Sequence, residues 1–165
     1  MPINEAFIAE LEQESKATRK ILERVPIEKS DWKPHEKSMT LGRLASHVAE
    51  ISGWTSSTLG ANEMDFSKID YKPKVAKSSA ELLGIFEENY SKAMESLKKA
   101  KDSDFMENWT LRNGEQVFFT MPKVVVVRNF AYSHLIHHRA QLSVYLRLLD
   151  VPVPSIYGPT ADEPM

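Results

Sequence analysis

No cysteine occurs anywhere in this chain of 165 residues. Disulfides and thiolate metal ligands are therefore excluded, and any thiol chemistry needs a sulfur brought in by a substrate. A basic excess is missing too, the formal net charge being −2. General nucleic-acid binders carry surplus cations to neutralise phosphates, so no nucleic-acid partner is expected. No apolar run has the length needed to cross a bilayer, and the opening MPINEAFIAELEQES is amphipathic and acidic rather than signal-like. No membrane partner is expected, and the chain reads as cytoplasmic. Internal repeats and low-complexity segments are lacking as well.

What is present belongs to a soluble globular protein: 42% hydrophobic and 27% charged residues. The length suits one domain over residues 1–165 with a proper core. Residues 4–25 place Ile8, Leu11, Ser15, Thr18 and Leu22 at helical spacing with Phe7, Ala17 and Ile21 beside them, Asn4 as cap and Pro26 as stop. In the loop that follows, Trp32 is expected to cover an end of the core and His35 to lie at the surface. A second helix is expected from Ser38 or Thr40 to about Leu59, with Leu41, Leu44, Ala45, Val48, Ile51 and Ser52 inward and His47 and Trp54 on the edge of that face.

Residues 60–77 show no sustained period and read as a long connection. Ser78-x-x-Glu81 fits a capping box opening a third helix to about Lys101. The Asn113-Gly114 pair, flanked by WTLR and EQVFF, predicts a small β-hairpin between helices three and four. Thr120 then caps the fourth helix and Pro122 occupies its first turn, with Val124 to Val127 helical. The tail VPVPSIYGPTADEPM reads as irregular chain. An all-α four-helix bundle with one small hairpin is the natural architecture.

The fourth helix carries the chemistry. At about 100° per residue, Val127, Phe130, Ala131, His134, His138, Gln141, Tyr145 and Leu149 share one face. Two histidines and a glutamine thus stand where a core helix carries Leu or Ile. A single core-edge histidine is usually satisfied by one hydrogen bond. Two on one inward face each risk roughly 1–3 kcal/mol if left unsatisfied, and a shared metal ion is a partner both can reach at i and i+4. His47, from a facing helix, is the third candidate ligand. His137 points away toward the face edge and Arg139 outward, while Gln141 can orient a ligand or a water.

The segments LASHVAEISGW, SHLIHHRAQLSVYLRLLDVPVP, YGPTADE and DWKPHEKSMTLGRL resemble the DinB family of small bacterial metalloproteins, and the likeness runs across nearly the whole chain. The resemblance implies a four-helix bundle holding a divalent metal through His47, His134 and His138. It also implies kinship with metal-dependent transferases and isomerases that use low-molecular-weight thiols, and a tail in which Tyr157 and Asp162 fold over the cavity.

Three imidazoles leave coordination positions open for a small molecule, an arrangement suited to catalysis. Zn²⁺ and Ni²⁺ lead as candidate ions, with Fe²⁺ and Mn²⁺ behind them. The expected substrate is a small molecule, a thiol first among the candidates, and the expected assembly is a homodimer. A metal-dependent hydrolase is the alternative, but it needs a carboxylate near the open position, and Glu50 is expected one turn away toward solvent. A non-catalytic metal- or ligand-binding stress protein is the third reading.

Overall fold

A computed structural model of the chain describes residues 1–70 and 72–164. The protein is mostly helical with a small three-stranded sheet. The helices are α1 (Ile3–Leu22), α2 (Leu41–Glu50), α3 (Gly53–Gly60), α4 (Ser79–Lys99), α5 (Asp102–Met106), α6 (Lys123–Val126) and α7 (His134–Leu148). A π-helical stretch, Val127–Ser133, joins α6 to α7. The strands are β1 (Glu63–Asp65), β2 (Asn108–Asn113) and β3 (Gln116–Pro122).

Helix α1 buries Phe7, Leu11, Glu14, Ala17, Thr18, Ile21 and Leu22, while Ile8 and Ser15 of the expected stripe are half-buried. Asn4 does not cap it. Its side chain lies inside the first turn and donates to the Leu97 carbonyl, bracing the last turn of α4. The expected second helix is broken at Ile51–Ser52 into α2 and α3. Thr40 caps α2 by accepting from the Arg43 N–H at 3.3 Å. Gly53 opens α3 where α4 comes close: a Cβ there would stand 2.3 Å from Asn89 Oδ1. Ser78 Oγ caps α4 by accepting from Glu81 N at 3.1 Å, and the Glu81 carboxylate reaches back to Lys77 N rather than to the cap itself.

The hairpin is present, with its turn one residue later than the sequence reading had it. Asn113 pairs with Gln116, so Gly114 and Glu115 form the turn, and Gly114 takes φ +59° at its first position. That conformation costs glycine little and other residues more. The third strand was not foreseen: β1 lies in the stretch read as a bare connection and pairs in parallel with β2. Asp65 ties it to the hairpin, accepting from Ser67 N, Ser67 Oγ and Gly114 N at 3.0, 2.7 and 2.9 Å. Thr120 is no helix cap. It sits within β3 and bonds Thr110 across the ladder at 2.9 Å, and the strand passes directly into α6 at Pro122.

Helices α1 and α4 pack side by side, α2 and α3 lie against α4, and α7 packs on α2 and α1. One apolar cluster gathers Ile21, Leu41, Leu44, Leu82, Leu142 and Leu146, with Trp32 partly buried on it and edge-on to Tyr145. A second collects Phe7, Leu97, Phe105, Val127 and Tyr132, and a third, under the sheet, Trp109, Leu111 and Val126. His35 is exposed, as expected. The tail is irregular but docked, through ion pairs Arg147–Asp162 and Arg24–Glu163 and burial of Val153.

Candidate metal centre

Helix α2 supplies His47, and α7 supplies His134 as its first residue and His138 one turn later. The π-helical stretch before them is a local widening, in which carbonyls pair five rather than four residues on. It ends where the histidines begin, and the Phe130 carbonyl meets His134 Nδ1 at 3.3 Å. The i, i+4 spacing then stacks the His134 and His138 rings with centroids 4.6 Å apart, while His47 comes across from α2 at 5.1 and 4.7 Å. The three rings form a triangle.

One ring nitrogen from each of the three lies within 4.8 Å of the others, and the His47 and His134 Nε2 atoms are 3.4 Å apart. Two nitrogens at about 2.1 Å from one tetrahedral ion stand roughly 3.4 Å apart, so that pair already has the required separation. The far nitrogens are engaged. His134 Nδ1 faces the Phe130 carbonyl, and His138 Nδ1 lies 2.7 Å from Gln141 Oε1. Both acceptors fix an Nδ1–H tautomer and leave Nε2 as the free lone pair, which is how ligating imidazoles are usually held.

Burial keeps the rings neutral. His47 is lowered to about 4, first by desolvation and then by charge on His138, His134 and Arg43. His134 and His138 are also lowered, chiefly by burial, with the Phe130 and Gln141 contacts pulling the other way. Near neutral pH the centre offers uncharged nitrogen donors, the form that binds a metal. This His47–His134–His138 group could hold a metal ion.

The centre opens on a cavity of about 480 Å³. Ile51, Trp54, Met64, Phe66 and Ile69 form apolar wall, and Glu50, Asn89 and Lys92 are its polar members beside His47 and His134. His138 is 8% exposed and lies outside the cavity lining. Trp54 is a wall residue, held by ring contacts with Trp109 and Phe130.

Several placements correct the sequence reading. Glu50 is on the cavity wall, not turned to solvent, and it pairs with Arg43 at 3.4 Å. Arg139 does not point outward: it is 2% exposed, paired with the buried Glu14 at 2.5 Å and bonded to Thr18 Oγ1 at 3.1 Å. Tyr157 and Asp162 do not cover the cavity. Tyr157 joins the Arg139–Glu14 pair, and Asp162 pairs with Arg147. His137 is exposed, its ring centroid 4.8 Å from that of His138.

The sequence reading also missed Arg43, Asn89 and Lys92. Arg43 had a usable signal, standing four residues before His47 on the same helix face. Lys92 had none, since its place in α4 reads as ordinary exposed surface.

Three comparisons with known proteins bear on this geometry. The model of the DinB family matches residues 1–164. The uncharacterized protein YrdA of Bacillus subtilis is 28% identical over 160 residues, covering 95% of this chain and 89% of its own. A DinB-like protein from Bacillus cereus superposes with a TM-score of 0.72 at 23% identity, over 94% of this chain and 98% of that one. The DinB-like protein YjoA of B. subtilis gives a TM-score of 0.70 at 15% identity, over 90% and 96%.

Proposed function

This chain belongs to the DinB family, and we propose that it is a divalent-metal enzyme in which a low-molecular-weight thiol attacks a small electrophile. The observation that carries the reading is three neutral imidazoles aimed at one point beside a largely apolar cavity. On this reading His47, His134 and His138 hold the ion, with Zn²⁺ or Ni²⁺ ahead of Fe²⁺ and Mn²⁺. A bound divalent ion supplies Lewis acidity there, lowering the pKa of a thiol or water that reaches an open position. Phe130 and Gln141 keep the His134 and His138 rings aligned through their Nδ1 atoms. The apolar wall excludes water from the reacting groups, which strengthens every polar interaction within. Lys92 and Asn89, on α4, are placed to orient a polar end of the substrate. Since the protein has no sulfur nucleophile of its own except methionine thioether, the thiol is a substrate.

The same reading takes the helices as a single-domain four-helix bundle, with α2 and α3 as one broken member. It places the protein in the cytoplasm as a homodimer. Exposed Val144 and Leu148 on α7 support a second copy across that helix. Among the described residues no helix is long and apolar enough to cross a membrane.

A metal-dependent hydrolase is the second reading, and Glu50 on the cavity wall favours it as a carboxylate near the open position. Its engagement with Arg43 weighs against a free base. Elemental analysis and metal titration of wild type beside His134→Ala/His138→Ala test the centre. About one ion per chain in the wild type and none in the variant is the expected result. Thiol conjugation to a haloarene by the loaded protein supports transfer; ester hydrolysis without thiol turns the choice to the hydrolase. A loaded protein that does neither leaves a non-catalytic binder.

A further inference from the structure

Val127 and Tyr132 are five residues apart, yet both are buried at 1% exposure or less, in the cluster that holds Phe7 and Leu97. The Tyr132 hydroxyl also donates to the Phe7 carbonyl at 2.7 Å. In an α-helix, at about 100° per residue, positions five apart point about 140° away from each other. They share a face here because the turn between them is π-helical and holds one residue more. Beyond it the pattern is displaced by that one residue. An unbroken α-helix would continue the Val127 face through His134, His138, Gln141 and Tyr145. The deepest positions of α7 are instead Leu135, Arg139, Leu142 and Leu146, each one place later and at 3% exposure or less. The two histidines thereby stand on the flank of the core stripe, beside His47.

Both halves of this helix are in phase as they would be in an α-helix one residue shorter, so the core has no need of the additional residue. Its effect falls on the next residue of the chain. The His134 backbone N–H closes the last wide turn, donating to the Asn129 carbonyl five residues back as well as to that of Ala131. The Phe130 carbonyl, which an α turn would engage with that N–H, stands 3.3 Å from the His134 ring instead. From this placement we infer that the π turn is a positioning element for the candidate centre. Its extra residue sets where the His134 ring stands opposite His47, and core packing does not require it; the inference rests on the metal reading above. Such turns cost a helix its regular bonding and recur at functional sites.

Deleting Asn129 takes one residue from the exposed side of the turn and leaves Val127 and Tyr132 four apart, the α spacing for one face. Circular dichroism and urea denaturation read the fold, and competition with a chromophoric chelator reads Zn²⁺ affinity. The deletion variant is expected to be helical, with a urea midpoint no lower than wild type. Its Zn²⁺ affinity should fall about tenfold or more, the loss that follows when the support behind a ligating histidine is removed. A purely structural turn would lose stability and keep its affinity. Asn129→Ala, which keeps the chain length, should bind as wild type does. Deletion of Arg128, also exposed, repeats the experiment at the neighbouring position. Wild-type affinity in a folded deletion variant, or an equal loss in Asn129→Ala, overturns the inference and spares the metal centre. Failure of both deletions to fold, or a marked drop of the urea midpoint in both, overturns it too, since the core would then need the residue. A wild type that binds no Zn²⁺ defeats the metal reading, and the role given to the turn with it.

Discussion

His138 and Arg139 are neighbours on α7, both nearly fully buried at 8% and 2% exposure, and they do opposite things with burial. Arg139 is closed. Its guanidinium pairs with Glu14, donates to the Glu14 carbonyl at 3.1 Å and to Thr18 Oγ1, and meets the Tyr157 hydroxyl at 2.5 Å. His138 is open, with Nδ1 held by Gln141 and Nε2 left toward two other imidazoles. A buried polar group whose bonds are all met within the chain fastens elements together. One with spare capacity beside a cavity is equipped to take a ligand. The contrast separates structure from site more sharply than burial or charge does.

The largest effect should come from breaking the closed side. Arg139→Met leaves Glu14 buried without its cation, and uncompensated burial of that kind costs about 3–5 kcal/mol. Urea denaturation should show that loss, while any folded fraction keeps its metal-binding capacity. Arg139→Met combined with Glu14→Leu should recover most of the stability, since an apolar replacement of a whole buried pair is often close to neutral. A double variant as unstable as the single one would mean that α7 needs this ion pair for its placement.

The open side should respond to ligand rather than to deletion. Excess Zn²⁺ at about a hundred times its dissociation constant stabilises a one-site protein by about 2.7 kcal/mol. The wild-type melting temperature is expected to rise accordingly, and that of His134→Ala/His138→Ala to stay put. Equal shifts in both proteins would place the ion elsewhere.

A smaller effect distinguishes the two sides by pH. The three site histidines have folded-state values below the ordinary 6.5, His47 at about 4. The unfolded chain therefore binds more protons than the folded one between those limits, so stability falls as pH drops from about 6.5 toward 4. Above 6.5 this contribution vanishes. Removing His134 and His138 should flatten that part of an acid-denaturation profile, measured without metal. An unchanged slope would assign the acid sensitivity to the carboxylates.

How much of this was legible follows the same division. Periodicity exposed the buried face of α1, the core of α2 and the inward pair His134 and His138, because apolar spacing is a local property. Ser78 and the turn glycine were equally local signals. Arg139 was misread since its phase on α7 gives no warning of a partner at Glu14, which itself sits among charged residues of α1 and is buried only by tertiary packing. The three-residue β1 is too short to show a period, and its stability comes from Asp65 reaching a turn 49 residues away. The cavity lining from α4 was hidden for the same reason: Lys92 belongs to the site only because α4 runs beside α3. The break at Ile51–Ser52 and the π-helical stretch are departures of one or two residues from patterns that otherwise continue.

The least disruptive test of the closed side is Tyr157→Phe. The hydroxyl bridges Glu14 at 2.8 and 2.7 Å and Arg139 at 2.5 Å, and its own pKa is raised by burial first and by the Glu14 hydrogen bond second. Removing it leaves the ion pair intact and deletes one polar link between the tail and the α1–α7 contact. A hydrogen bond of this type contributes about 0.5–1.5 kcal/mol, and the exposed edge of the ring argues for the lower half of that range. The global midpoint in urea should therefore move little. Because Tyr157 stands on the closed side, Zn²⁺ affinity should not move at all, whereas hydrogen exchange of the tail amides of Val153 and Ser155, which donate to Asp162 and Glu163, should quicken. A change in Zn²⁺ affinity would show that the network around Arg139 and the centre around His138 act as one unit, and the distinction between closed and open burial on this helix would fall.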